Sequence, residues 1–112
     1  MPLCLVYTNM KRTDLDERFE ERMAKCIAEV TQLPLEYIYV TIHPESPTFC
    51  AGSRDPAMWC QIHCKKIFQD TANLQEYYKK FFETLKETTK LPGNRIVVEL
   101  FDVPVALAQL GN

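Results

Sequence analysis

Thr31-Gln32-Leu33-Pro34-Leu35-Glu36-Tyr37-Ile38-Tyr39-Val40 is echoed further along the chain by Thr89-Lys90-Leu91-Pro92-Gly93-Asn94-Arg95-Ile96-Val97-Val98. Thr, Leu, Pro, Ile and Val recur at matching places, at an offset of 58 residues (position 89 against position 31). Sliding the first half by the same offset lays 2–10 on 60–68 and 13–31 on 71–89. Each half then reads strand, helix, Leu-Pro turn, strand. That is two βαβ units.

Apolar periodicity marks the helices. Leu15, Phe19, Met23, Cys26, Ile27 and Val30 fall on one stripe of a 3.6-residue repeat. Thr13 with Asp16 supplies an N-cap and a helix-start acid. Leu74, Tyr77, Tyr78, Phe81, Phe82 and Leu85 form the second stripe, with Asn73 and Glu76 placed to cap it. Pro34 and Pro92 each follow a helix, as suits a residue that cannot continue one. Strands are expected at 2–8, 37–43, 59–68 and 95–103.

A βαβ unit pairs its two strands in parallel through a right-handed crossover. Two units make an α/β (α+β) domain spanning 1–112, with pseudo-repeats 2–43 and 60–103. Its four-stranded mixed sheet carries both helices on one face. The other face is left uncovered. Cys4, Val6, Ile38, Val40, Ile42, Ile62, Val98 and Leu100 are too apolar in sum for both faces to meet water. Burial against further copies of the chain is therefore expected.

The composition closes several alternatives. A chain of 112 residues is long enough to bury a core. Its 46% apolar and 25% charged residues are ordinary for a globular domain, and a net charge of −2 is no nucleic-acid footprint. Lys65-Lys66 and Lys79-Lys80 are short pairs that read first as solvated surface. No apolar stretch approaches the roughly 20 residues of a membrane span, so no membrane insertion is expected. No secretory signal pattern is present either. Five cysteines at irregular spacing argue against a disulfide framework and for a reducing, cytoplasmic setting. Secretion by a route that needs no signal peptide stays open.

The second residue is a proline leading into an apolar run, Met1-Pro2-Leu3-Cys4-Leu5-Val6-Tyr7. A small residue after the initiator methionine usually lets the methionine be clipped. Pro2 would then carry a secondary amine at the N-terminus. An ordinary α-amino group titrates at about 7.7–8.0, and apolar surroundings make such an amine harder to charge and a usable base near neutral pH. The plain alternative is that Pro2 starts a strand, where its missing N–H costs nothing.

Five short motifs, in order, carry a resemblance. Met1-Pro2 with Thr8-Asn9, then Pro34-x-x-Tyr37-Ile38-x-Val40, then Gly52-Ser53-x-Asp55-Pro56, then Pro92-x-Asn94-Arg95-Ile96, then Phe101-Asp102 resemble the macrophage migration inhibitory factor family. The likeness runs over nearly the whole chain. It implies the double βαβ fold just read, assembled as a homotrimer. It also implies activity like that of D-dopachrome and phenylpyruvate tautomerases, and cytokine action at a cell-surface receptor for several members. In such proteins the N-terminal proline moves a proton between an α-carbon and a carbonyl oxygen of a small α-keto or enol carboxylate.

Carried over residue by residue, Pro2 is the catalytic base and Leu33, Lys65, Val97 and Glu99 occupy the substrate-binding positions. The family's lysine before the first Leu-Pro proline is Leu33 here. Its Ser-Ile-Gly on the third strand is Cys64-Lys65-Lys66. Its tyrosine and asparagine, lent across a subunit boundary, are Val97 and Glu99. Losing the lysine removes a charge-assisted bond to a substrate carboxylate worth about 1.5–3 kcal/mol. Lys65 is placed to restore the charge and to disfavour protonated Pro2, whereas Glu99 favours it. A Pro2–Lys65–Glu99 cluster at each subunit boundary is one expectation; a degenerate pocket with Lys65 and Glu99 in solvent is the other. The family's closing Gly-aromatic-Asn-Gly-Ser-Thr-Phe run has no counterpart at Leu110-Gly111-Asn112, which weakens the expectation of a trimer.

Other chemistries find little support. Cys60-Gln61-Ile62-His63-Cys64 suggests a metal, but on a strand Cys60 and Cys64 sit about 13 Å apart and His63 points to the opposite face. They cannot close one tetrahedral site. Cys-x-x-Cys redox chemistry would need a cysteine where Ala57 stands. His43 reads as a turn residue, and Trp59, Tyr77 and Tyr78 as core. Three glycines at 52, 93 and 111 make no phosphate loop. No cofactor and no metal are expected.

Overall fold

Parallel pairing within each repeat and antiparallel pairing between them set the sheet. The computed structural model describes residues 1–111. It places β1 at Leu3–Thr8, α1 at Phe19–Thr31 and β2 at Tyr39–His43, then β3 at Met58–Cys64, α2 at Leu74–Thr89 and β4 at Ile96–Asp102. The strand order is β2-β1-β3-β4. β1 runs parallel to β2 and β3 to β4, while β1 and β3 meet antiparallel at the centre. No helix is long and apolar enough to cross a membrane, among the described residues.

The quoted decapeptides fold alike. Thr31 Oγ1 donates to Ile27 O at 2.7 Å and Thr89 Oγ1 donates to Leu85 O at 2.6 Å, and both threonines are buried. The next residues, Gln32 and Lys90, adopt left-handed backbone at φ 57° and 62°, which ends each helix. A single 3-10 turn follows the proline in each, Leu35–Tyr37 and Gly93–Arg95. Each turn aims the chain back along the sheet into β2 or β4.

The core lies between the helices and one face of the sheet. Cys4, Val6, Cys60, Ile62, Cys64 and Val98 point into it, and Phe19, Met23, Ile27, Phe81 and Leu85 meet them from α1 and α2. Fully burying such side chains stabilises by about 1.5–3 kcal/mol each.

Several readings of the sequence need correction. The first helix begins at Phe19, not at Thr13: Arg12–Asp14 is a 3-10 turn, and Leu15 is extended yet still buried. Asp16 serves the helix start differently, its carboxylate accepting from Arg18 N–H at 2.7 Å and from the Arg22 guanidinium at 2.8 Å. Those contacts, led by the Arg18 N–H, hold its carboxyl below the usual range. Asn73 makes no cap to α2; its amide donates to Asp70 instead, at 2.6 Å.

The third strand stops at Cys64 rather than running to 68. Ile67 N–H closes back on Lys65 O at 2.8 Å, which forces Lys66 to φ 69°. That conformation favours glycine, and glycine is what the resembling motif carries there.

The open face is also built from other residues than expected. Cys4, Val6, Ile62 and Val98 are covered by helices, with Ile38, Val40, Ile42 and Leu100 packed beside them. The uncovered face carries the alternate positions. Strand register arranges them in three rows: Tyr39-Leu3-His63-Phe101, Thr41-Leu5-Gln61-Glu99 and His43-Tyr7-Trp59-Val97. Trp59 is therefore no core residue, being 46% exposed. His43 ends β2 and stacks on Tyr7 with ring centroids 4.7 Å apart.

Candidate active site

The start of β1 and the end of β3 meet because the two strands run antiparallel, with Leu3 opposite His63. Pro2 is fully buried there, and its carbonyl accepts the Tyr39 N–H at 3.1 Å. Met1, Leu33, Tyr37 and Lys65 line a cavity of about 520 Å³ beside it, and Val105, Ala106, Ala108, Gln109 and Leu110 form the remaining wall. Leu33 arrives from the turn after α1. Lys65 is aimed by the tight turn at Lys66, and its ammonium donates to the carbonyl of Ala108. Cys64 is buried directly alongside. Its thiol is pushed up by burial, an effect partly opposed by the N-terminal ammonium nearby.

Val97 and Glu99 lie elsewhere. Both are on the open face of β4, and Glu99 is paired in register with Gln61. The Trp59 indole N–H donates to Glu99 Oε1 at 2.5 Å. Val97, 55% exposed, lines a separate cavity of about 240 Å³ with Tyr7, Trp59 and Cys50. Arg95 forms part of that cavity's wall, its guanidinium spent on the carbonyls of Cys50, Asp55 and Pro56. One chain thus gathers Pro2, Leu33 and Lys65 and leaves Val97 and Glu99 apart from them.

The remaining thiols stand within the core. Cys4 and Cys60 touch at 3.5 Å between sulfurs, and that contact, with burial, pushes the Cys60 thiol up. Cys26 is likewise raised, chiefly by burial. Cys60 and Cys64 face the helices and His63 faces away from them. Among the described residues no three His, Cys, Asp or Glu side chains gather as metal ligands.

Sequence reasoning missed three parts of this site. Tyr37 was available in the Pro34-x-x-Tyr37 motif but had been assigned no role. Cys64 matches the family's serine and fails as a metal ligand, and neither reading puts its thiol beside the cavity. The 105–110 wall gave no signal, since nothing in Val105-Ala106-Leu107-Ala108-Gln109-Leu110 marks a carbonyl that will meet Lys65.

Two βαβ units joined into a four-stranded mixed sheet, with a buried proline beside a cavity at the start of the first strand, define a class of small α+β proteins. The chain belongs to the macrophage migration inhibitory factor (MIF) family, whose model matches residues 1–111. The macrophage migration inhibitory factor of Mus musculus is 26% identical over 106 residues, covering 95% of this chain and 91% of that protein. The solved macrophage migration inhibitory factor of Trichinella spiralis superposes with a TM-score of 0.90 at 18% identity, covering 97% of this chain and 96% of that one. That from Oncomelania hupensis gives 0.89 at 21%, covering 99% and 80%. At those identities the structural likeness speaks for the fold.

Proposed function

We propose that this MIF-family chain is a keto–enol tautomerase of phenylpyruvate- or dopachrome-like carboxylates, working as a homotrimer with Pro2 as its base. The observation that carries the reading is the burial of Pro2 beside a cavity whose one cationic side chain is Lys65. Once Met1 is removed, the Pro2 nitrogen is a free secondary amine in an apolar setting. It takes the proton from the carbon next to the substrate carbonyl and returns it to the carbonyl oxygen, so the step is an isomerisation with no net redox change. Lys65 holds the substrate carboxylate. Val97 and Glu99 enter from a neighbouring copy across the open sheet faces. Retained Met1 would turn the Pro2 nitrogen into an amide without basicity.

A second reading has its own support. Leu33 leaves no cation at its position, and the Lys65 ammonium is already engaged by Ala108 O. Those features suit a cytokine-like protein that meets a cell-surface receptor with a degenerate pocket. Cytoplasmic residence with secretion that needs no signal peptide fits both readings.

A phenylpyruvate tautomerase assay, on protein whose intact mass lacks Met1, decides between them. The tautomerase reading expects turnover, a loss of about 10²-fold or more in Pro2→Ala, and a KM raised about tenfold in Lys65→Ala. Equal rates in wild type and Pro2→Ala would overturn it in favour of the second reading.

A further inference from the structure

The segment 104–111 is tied to the body of the chain at few points. Val103 N–H donates to Cys64 O at 3.0 Å just before it, and Leu107 N–H closes the segment's own turn on Pro104 O at 2.9 Å. Beyond these, the hydrogen bond joining it to the rest of the chain, among the described residues, is Lys65 Nζ to Ala108 O. Packing adds little. Val105, Leu107 and Leu110 are 54%, 76% and 39% exposed, and none belongs to the core cluster.

Lys65 is unusual from its own side too. It is half-buried, and among the described residues no carboxylate pairs with it, the ion pairs there belonging to Arg12 and Arg22. Its charge is met by a neutral carbonyl from a weakly held segment. A carboxylate offers the same ammonium two acceptor oxygens and a Coulombic attraction that a carbonyl lacks.

We propose that 104–111 is a strap latched across the N-terminal cavity by Lys65, and that an organic monocarboxylate releases it by taking the place of Ala108 O on the ammonium. The proposal rests on the tautomerase reading for the class of ligand, an aromatic monocarboxylate, but requires no turnover. It gives Lys65 two exclusive partners. Apparent affinity for the acid is then reduced by the fraction of chains whose strap is closed. An uncharged analogue of the same shape has nothing to offer the ammonium and leaves the strap in place.

Limited elastase digestion, followed by intact mass for loss of the tail at Val105, Ala106 or Ala108, tests this directly on the full chain. Lys65→Met should lose its tail about tenfold faster than wild type, from the loss of a bond to a charged group, with an unchanged melting temperature. Lys65→Arg, which keeps a donor, should stay near wild type. Saturating trans-cinnamate should speed tail loss in wild type and leave Lys65→Met unaffected, while cinnamamide should do nothing. Tail loss in Lys65→Met at the wild-type rate, or protection of the wild-type tail by cinnamate, would overturn the strap. Should Lys65→Met fail to fold, the wild-type pair of cinnamate and cinnamamide still decides. A chain that opens with cinnamate but turns over no phenylpyruvate would keep the strap and lose the enzyme.

Discussion

The two faces of the sheet obey different rules. On one, Cys4, Val6, Cys60, Ile62 and Cys64 have 1% exposure or less, because α1 and α2 of the same chain cover them. On the other, Tyr39, Trp59 and Val97 are 48%, 46% and 55% exposed, in rows that also hold Leu3, Leu5, Tyr7 and Phe101. The covered face is completed by one chain. The open face, less apolar but more aromatic, is left uncovered by the described residues of the same chain. The same division separates the candidate site: Pro2, Leu33 and Lys65 meet around the N-terminus, and Val97 and Glu99 are displayed on the open face. A second copy seated there would finish both the burial and the pocket.

Substitutions on the two faces should part company. Phe19→Ala on the covered side removes a fully buried ring and is expected to cost about 3–5 kcal/mol of unfolding free energy, read by urea denaturation. Arg95→Ala, at the edge between the faces, strips three carbonyls of their donor and should cost about 1–3 kcal/mol. Trp59→Ala on the open face should cost the dissociated chain about 1–2 kcal/mol, less than Phe19→Ala, because the ring is only partly buried and gives up its bond to Glu99. Its further effect should appear as weaker self-association on dilution. A loss like that of Phe19→Ala from the isolated chain would erase the distinction.

Smaller effects sharpen it further. Lys66→Gly should stabilise by about 1 kcal/mol by relieving the left-handed backbone beside the site. In native protein, iodoacetamide should label Cys50, the half-buried thiol, and spare the buried Cys4, Cys26, Cys60 and Cys64; mass mapping would show it. The least effect belongs to Asp16, at the start of α1. Its folded carboxyl is lowered, so its contribution to stability is present above the unfolded value of about 3.9 and lost as pH falls through the folded one. Asp16→Asn should remove that part of the acid dependence, as measured by melting temperature against pH.

Much of this arrangement was legible in the residues. Thr31 and Thr89 end their helices with equivalent bonds because the repeat keeps threonine, left-handed residue, leucine and proline in step. Periodicity found both helical stripes but placed the first helix start too early. Leu15 is buried whether or not it is helical, so burial spacing cannot tell extended chain from an extra turn. The strand end at Cys64 was hidden because Lys66 occupies a conformation its side chain does not advertise. Trp59 misleads for a related reason: it looks like core by type, and only strand register reveals that it shares the open side with Tyr7 and Val97. The Lys65 contact with Ala108 depends on a tertiary approach across 43 positions, beyond any local pattern.

Sedimentation velocity at micromolar concentration addresses the open face most directly. The expected result is a single boundary at three times the mass of the chain. A boundary at one chain mass would leave the aromatic rows uncovered, keep Val97 and Glu99 away from Pro2, and contradict the account.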